Sequence, residues 1–258
     1  MRLVGRDPAR LPSLPGASAA PAAEYADTAA MRRALEGVET VFLVSGRESA
    51  DRVVEHRSAV DAAAQAGAQR VVYLSFLGAA ADCTFTFGRD HWHTEQHLRS
   101  TGLRHTFLRD SLYADLLPHL VGDDGTIRGP AGAGRLSAVS QDDVAAVATA
   151  VLLDDAGEVS QHDGVTYDVT GPEALTMTEA AETIASVTGR PVRFVDETEE
   201  EAYASRAHFG APDFEVAGWV TSYLAIARGE LSTVTDVVPR LLGRPARSLA
   251  DVLRGART

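Results

Sequence analysis

The chain contains no lysine and no asparagine, a single cysteine and no long apolar run. All 24 basic residues are arginine, so no mechanism that needs a lysine amine is open to it. Cys83 has no partner within the chain, which excludes an internal disulfide and points to a reducing compartment, the cytoplasm. The longest strongly apolar stretch, residues 145–153, is far too short to span a bilayer. The opening MRLVGRDPAR carries no apolar segment of the signal-peptide kind, so no secretory signal is expected. Positive charge is also scarce. Against 24 basic side chains stand 36 acidic ones, and the net charge of −12 argues against a nucleic-acid partner.

What is present is an ordinary globular balance. The 258 residues, 45% of them apolar and 23% charged, suffice for one large domain or two small ones. Residues 8–23, rich in proline and alanine, read as an irregular surface stretch. A short helix over 28–37 follows, capped by Asp27 or Thr28. Three apolar runs, at 41–44, 71–74 and 106–108, read as strands buried on both faces. The segments between them, 51–67 and 90–102, read as helices. The first places Val53, Val54, Val60, Ala63 and Ala64 on one stripe. This alternation predicts right-handed crossovers and a parallel sheet. Beyond Tyr113 the pattern gives a glycine-rich loop over 122–134, a helix over 141–153, a strand over 165–169 and a helix over 176–189. The remainder reads as amphipathic helix. The expected fold class is α/β: a Rossmann-like, doubly wound parallel sheet over 1–170, followed by a small, mostly helical lobe over 171–258.

Ligands on open parallel sheets bind beyond the carboxyl ends of the strands. Four segments stand there: Gly5-Arg6-Asp7, Ser45-Gly46, Ser75-Phe76-Leu77-Gly78 and Arg109-Asp110-Ser111. Their small and hydroxyl residues suit close approach of a nucleotide. Strand-to-helix turns favour the same residues for their own reasons.

The segments LVGRDPAR, ALEGVETVFLVS, RVVYLSFLGA and RDHWHTEQHLRSTGLRHTFLRDSLYADLLP resemble the NmrA-like family of atypical short-chain dehydrogenases, closest to its bacterial NAD(P)H:quinone oxidoreductase branch. GRLSAVSQDDVAAVATAVL and VTYDVTGPEALTMTEAAETIASVTGRPVRFVD continue the resemblance in order over nearly the whole chain. It implies NADP(H) or NAD(H) as cofactor and a small-molecule acceptor between the sheet and the C-terminal lobe. No nucleic-acid or membrane partner is expected from charge and run length, and a homodimer is one possible assembly. The family opens with a strand, a G-x-x-G-x-x-G turn and a helix. This chain starts at what reads as the second strand, so roughly 25 residues of one βα unit are expected to be missing. The sheet closes over that gap, a partner fills it, or the chain is a fragment.

By the resemblance, Arg6 is the basic residue that binds a 2′-phosphate and favours NADP over NAD. Tyr25, Ala26, Asp27, Val44, Ser45 and Gly46 border adenine and ribose, and Ser75, Phe76 and Leu77 line the nicotinamide side. The short-chain dehydrogenase pair Tyr-x-x-x-Lys is impossible here, since Ala29, Leu77, Leu117, Gly171, Ala207 and Ala227 follow the six tyrosines at that spacing. Quinone reduction does not demand such a pair, because hydride transfer is chiefly a matter of position. His91, Arg109 and Tyr113 are the candidate donors to the developing oxyanion. His93 and His97 share a helical face, but Thr94 stands where a zinc-protease helix needs glutamate, so no metal is expected. The expected activity is hydride transfer from NADPH to a quinone-like or carbonyl acceptor. The alternatives are a non-catalytic NAD(P)-sensing regulator or a truncated remnant that binds no cofactor.

Overall fold

The computed structural model describes residues 1–154 and 159–255. The chain opens with β1 (Arg2–Leu3) and β2 (Ser18–Ala19), which pair in parallel. Helix α1 (Thr28–Leu35) leads to β3 (Thr40–Leu43), α2 (Arg52–Gln65), β4 (Arg70–Phe76), α3 (Thr86–Ser100) and β5 (Arg104–Asp110). Then come β6 (Thr126–Gly129), β7 (Arg135–Leu136), α4 (Gln141–Leu153) and β8 (Thr166–Val169). The central sheet is parallel throughout, in the order β3-β4-β5-β8. Alternate residues explain its consecutive apolar positions. Val71, Tyr73 and Phe107 pack toward α2 and α3, while Val72 and Leu108 pack toward α4. Both faces of the inner strands β4 and β5 are thus covered, while Phe42 of the end strand β3 is 39% exposed.

The C-terminal lobe comprises β9 (Leu175–Thr176), α5 (Met177–Thr188), β10 (Arg193–Asp196), α6 (Glu199–Arg206), α7 (Asp213–Ala227), α8 (Val237–Leu242) and α9 (Leu249–Gly255). Thr176 and Thr198 each start a helix with a reciprocal capping box to Glu179 and Glu201. The final three residues of the expected lobe lie outside the described residues. Among the described residues, no helix is long and apolar enough to cross a membrane.

Four readings of the sequence need correction. Residues 8–23 hold β2 and a turn of 3₁₀ helix at Pro8–Arg10. Helix α3 begins at Thr86 rather than 90, because Thr221 of α7 caps it from across the molecule, its Oγ1 accepting the Thr86 N–H at 3.2 Å. On α2, Val54 is 66% exposed and Ala64 is exposed; the inward positions go to Arg52, His56, Ala59, Val60 and Ala63. The glycine-rich 122–134 contains β6, which pairs in parallel with β10, a strand inside a region read as helical. β1–β2 and β3-β4-β5-β8 form separate ladders.

Candidate active site

The carboxyl ends of the strands carry two groups of polar side chains. The first lies between the sheet and helices α2 and α3. Gly46 N–H donates to His56 Nε2 at 2.8 Å, so the ring proton of His56 sits on Nδ1 and faces Thr94 Oγ1 at 3.0 Å. Arg52 donates to His91 Nε2 at 3.1 Å, which leaves the His91 proton on Nδ1 toward the Tyr73 hydroxyl at 3.0 Å. Both imidazoles are therefore held neutral. Burial, with the charge of Arg52 added, pushes His56 down to about 3 and holds His91 well below the ordinary histidine value. Beside them, Arg109 forks onto Glu95 with bonds of 2.8 and 2.7 Å, and Ser75 Oγ donates to the same carboxylate at 2.6 Å. Glu95 is 1% exposed, so this bidentate contact compensates a fully buried charge.

The second group faces a cavity of about 1070 Å³ between the strand ends and the C-terminal lobe. Phe85, Phe87, Tyr113, Phe209, Trp219 and Tyr223 supply its aromatic walls. Two glycines make the room. A Cβ on Gly218 would lie 2.2 Å from Phe87, and one on Gly129 would lie 2.4 Å from Tyr223. The arginines of the wall are paired: Arg128 with Asp124 at 2.6 Å, Arg206 with Glu197 at 3.1 Å. Tyr113 donates its hydroxyl proton to Asp110 Oδ2 at 2.5 Å.

The sequence-derived candidates fall as follows. Arg6 is exposed and, among the described residues, has no hydrogen-bonding or ionic partner; Asp7 instead caps the turn after it by accepting Ala9 N–H at 3.0 Å. Tyr25 donates to the Val44 carbonyl at 2.7 Å, which brings those two together. Asp27 caps α1, and Ala26 beside it is exposed. Ser45 Oγ donates to Leu74 O at 2.8 Å, and the N–H of Gly46 is committed to His56. Ser75, Phe76 and Leu77 are buried, Ser75 on Glu95 and the other two in the core beneath the cavity. His91 presents no free ring nitrogen and Arg109 is held by Glu95, while Tyr113 lines the cavity. His97 bonds Asp61 at 2.7 Å, and no group of metal-binding side chains gathers among the described residues. One residue escaped the sequence reading. Arg47, directly after Ser45-Gly46, is exposed and without a partner among the described residues. Its signal was its place immediately past a strand end.

Arg6 and Arg47, past the ends of β1 and β3, are exposed guanidinium groups of a chemistry that can bind phosphate, and Val44 between them in sequence is exposed too. A glycine turn between strand and helix, which would hold a pyrophosphate, is not among the described residues. Residues 1–155 match the model of the NAD(P)H-binding family. The chain belongs to the NAD(P)H-binding, NmrA-like oxidoreductases. Among the relatives of this NmrA-like chain is quinone oxidoreductase 2 of Escherichia coli, 29% identical over 233 residues that cover 89% of this chain and 79% of the relative. Another is an NAD(P)H azoreductase of Xenophilus azovorans, 32% identical over 222 residues, 84% of this chain and 75% of the relative. The solved structure of the Escherichia coli NADPH-dependent quinone oxidoreductase with NADPH superposes with a TM-score of 0.88 at 28% identity, covering 100% of this chain and 90% of that one.

Proposed function

We propose that this NmrA-like oxidoreductase reduces a quinone-like or related carbonyl acceptor, with NADPH preferred to NADH. The observation that carries the reading is the aromatic-walled cavity at the carboxyl ends of β4 and β5. A flat conjugated acceptor can stack on such walls, and a cavity of this size buries most of a drug-sized ligand. Bound NADPH supplies the hydride. The chain's own work is positional. Phe85, Phe87 and Trp219 hold the acceptor ring. Tyr113 gives a proton to the acceptor oxygen. His91 and Arg109, both committed to buried partners, fix the wall behind the reaction. Arg6 and Arg47 take the adenosine phosphates, and Arg6 sets the preference for NADP.

The test is steady-state NADPH oxidation with a panel of quinones and azo dyes, alongside quenching of Trp92 and Trp219 fluorescence by NADPH and NADH. Acceptor-dependent turnover, with tighter binding of NADPH that Arg6→Ala abolishes, supports the reading. Folded protein that binds NADPH and turns over no acceptor overturns it.

A further inference from the structure

Asp110 ends β5 with its side chain 5% exposed. Besides a bond from its own backbone N–H, its one partner among the described residues is the Tyr113 hydroxyl at 2.5 Å, and no cation pairs with it there. This sets it apart from Glu95, whose charge is met by a forked arginine. A buried carboxyl without a cation favours its neutral form. Burial pushes Asp110 up to about 7, the bonds from Tyr113 and from its own N–H offsetting only part of the effect.

The surroundings leave Tyr113 as the one titratable side chain bonded to it. Phe76 of β4 and Val169 of β8 flank Asp110 in the ladder. Arg109 turns to the opposite face, toward Glu95 and Asp168. Asp115 acts on Tyr113 through its charge, and its Oδ2 accepts Gln141 N–H at 2.9 Å. On α4, Asp143 is held by Arg244 at 2.7 Å.

We infer that Asp110 is a positioning residue whose proton sets the direction in which the Tyr113 hydroxyl donates. The inference rests on the hydride-transfer reading for its use, though not for its geometry. With Asp110 ionised, Tyr113 donates to it and has no proton for the cavity. With Asp110 protonated, the carboxyl donates to Tyr113 Oη across the same short contact, and the phenolic O–H is released toward the acceptor. The chemical step then balances. Hydride from the reduced nicotinamide brings two electrons to the acceptor and leaves an oxyanion. The Tyr113 O–H bond breaks and its proton bonds to that oxygen. The Asp110 proton passes to the tyrosinate, and Asp110 regains a proton from solvent.

The experiment has two arms. The first follows kcat/KM for benzoquinone reduction by NADPH across pH, for the native chain and Asp110→Asn. The asparagine amide can donate to Tyr113 Oη as the protonated acid does, and it does not titrate. The native rate is expected to fall about tenfold per pH unit once Asp110 ionises above about 7, while Asp110→Asn stays flat within about twofold. The second arm is an infrared titration of the native protein with neither cofactor nor acceptor, with Tyr113→Phe assigning the phenol band. The carboxyl and phenol bands are expected to change together. An unchanged pH profile in Asp110→Asn overturns the inference, as does a carboxyl band that titrates without the phenol. If Asp110→Asn does not fold, the infrared arm decides alone. Coupled bands without any turnover sustain the hydroxyl switch and overturn the hydride-transfer reading instead.

Discussion

The polar groups under α2 and α3 and those around the cavity obey different rules. Beneath the helices, His56, His91, Tyr73, Arg52, Glu95 and Arg109 each hold fixed, complementary partners. Around the cavity the walls are aromatic, the exposed Arg128 and the buried Arg206 are each paired with a carboxylate, and Tyr113 on the wall is bonded to the carboxyl of Asp110. A satisfied buried network rigidifies what it supports. An apolar hollow has room for a ligand, and the inferred switch needs only the one proton shared by Asp110 and Tyr113 across their 2.5 Å contact. The first region builds the wall; the second is where the proposed hydride transfer would take place.

The sharpest way to break this comparison is Arg109→Ala. It strands the Glu95 charge, which is 1% exposed, and is expected to lower stability by about 3–5 kcal/mol in denaturant titration. An equally buried carboxylate that tolerated this loss would show that the network is not what holds the wall. Next in size is the response to pH. His56 titrates at about 3 in the native chain against 6.5 when exposed, so between those values the unfolded chain binds more protons and stability falls as pH falls, by about 1.4 kcal/mol per pH unit. Asp110 works in the opposite sense: from 3.8 to about 7 the native chain binds more protons, and its contribution falls as pH rises. Thermal or urea unfolding of Asp110→Asn across that range should therefore show a steeper acid loss than the native chain. His56→Leu comes third. It removes the acceptor of Gly46 N–H at nearly constant volume and is expected to cost about 1–3 kcal/mol. Smaller still for stability is Gly218→Ala, whose new Cβ presses Phe87 into the cavity; a severalfold rise in acceptor KM with NADPH affinity unchanged is the expected readout. Arg128→Ala, on an exposed pair, should leave unfolding nearly unchanged.

Strands β4 and β5 were legible because burial on both faces writes itself as consecutive apolar residues, while β3 and β8, buried on alternate residues, were legible from their β-branched and aromatic side chains. The strands β2, β6 and β10 were not, because they are short and lie among glycine, proline and charged residues, so no apolar run marks them. The inward face of α2 was misread for a related reason. Hydropathy assigns Arg52 and His56 to solvent, whereas Gly46, Asp90, His91 and Thr94 satisfy them in the interior. Among the site residues, the strand-end rule located Ser75, Arg109 and Asp110 but could not say which were already committed. That depended on Glu95 and Tyr113, which only folding brings alongside. Resemblance placed Tyr113 at the pocket; it did not disclose the bond to Asp110.

The β6–β10 ladder has a mechanical consequence. Four register pairs join the loop that floors the cavity to the lobe that roofs it, and Arg206 adds a bond to the Arg128 carbonyl at 2.9 Å. Gly125, at φ +72° with the Pro191 carbonyl 2.7 Å from where a Cβ would stand, leaves no slack at the joint. Floor and roof are thus one rigid frame, and swinging the lobe away would break several backbone bonds at once. Whatever enters the cavity therefore meets a frame of fixed width, whose exposed aromatic edge is Phe209, 62% exposed and edge-on to Trp219 at 5.7 Å.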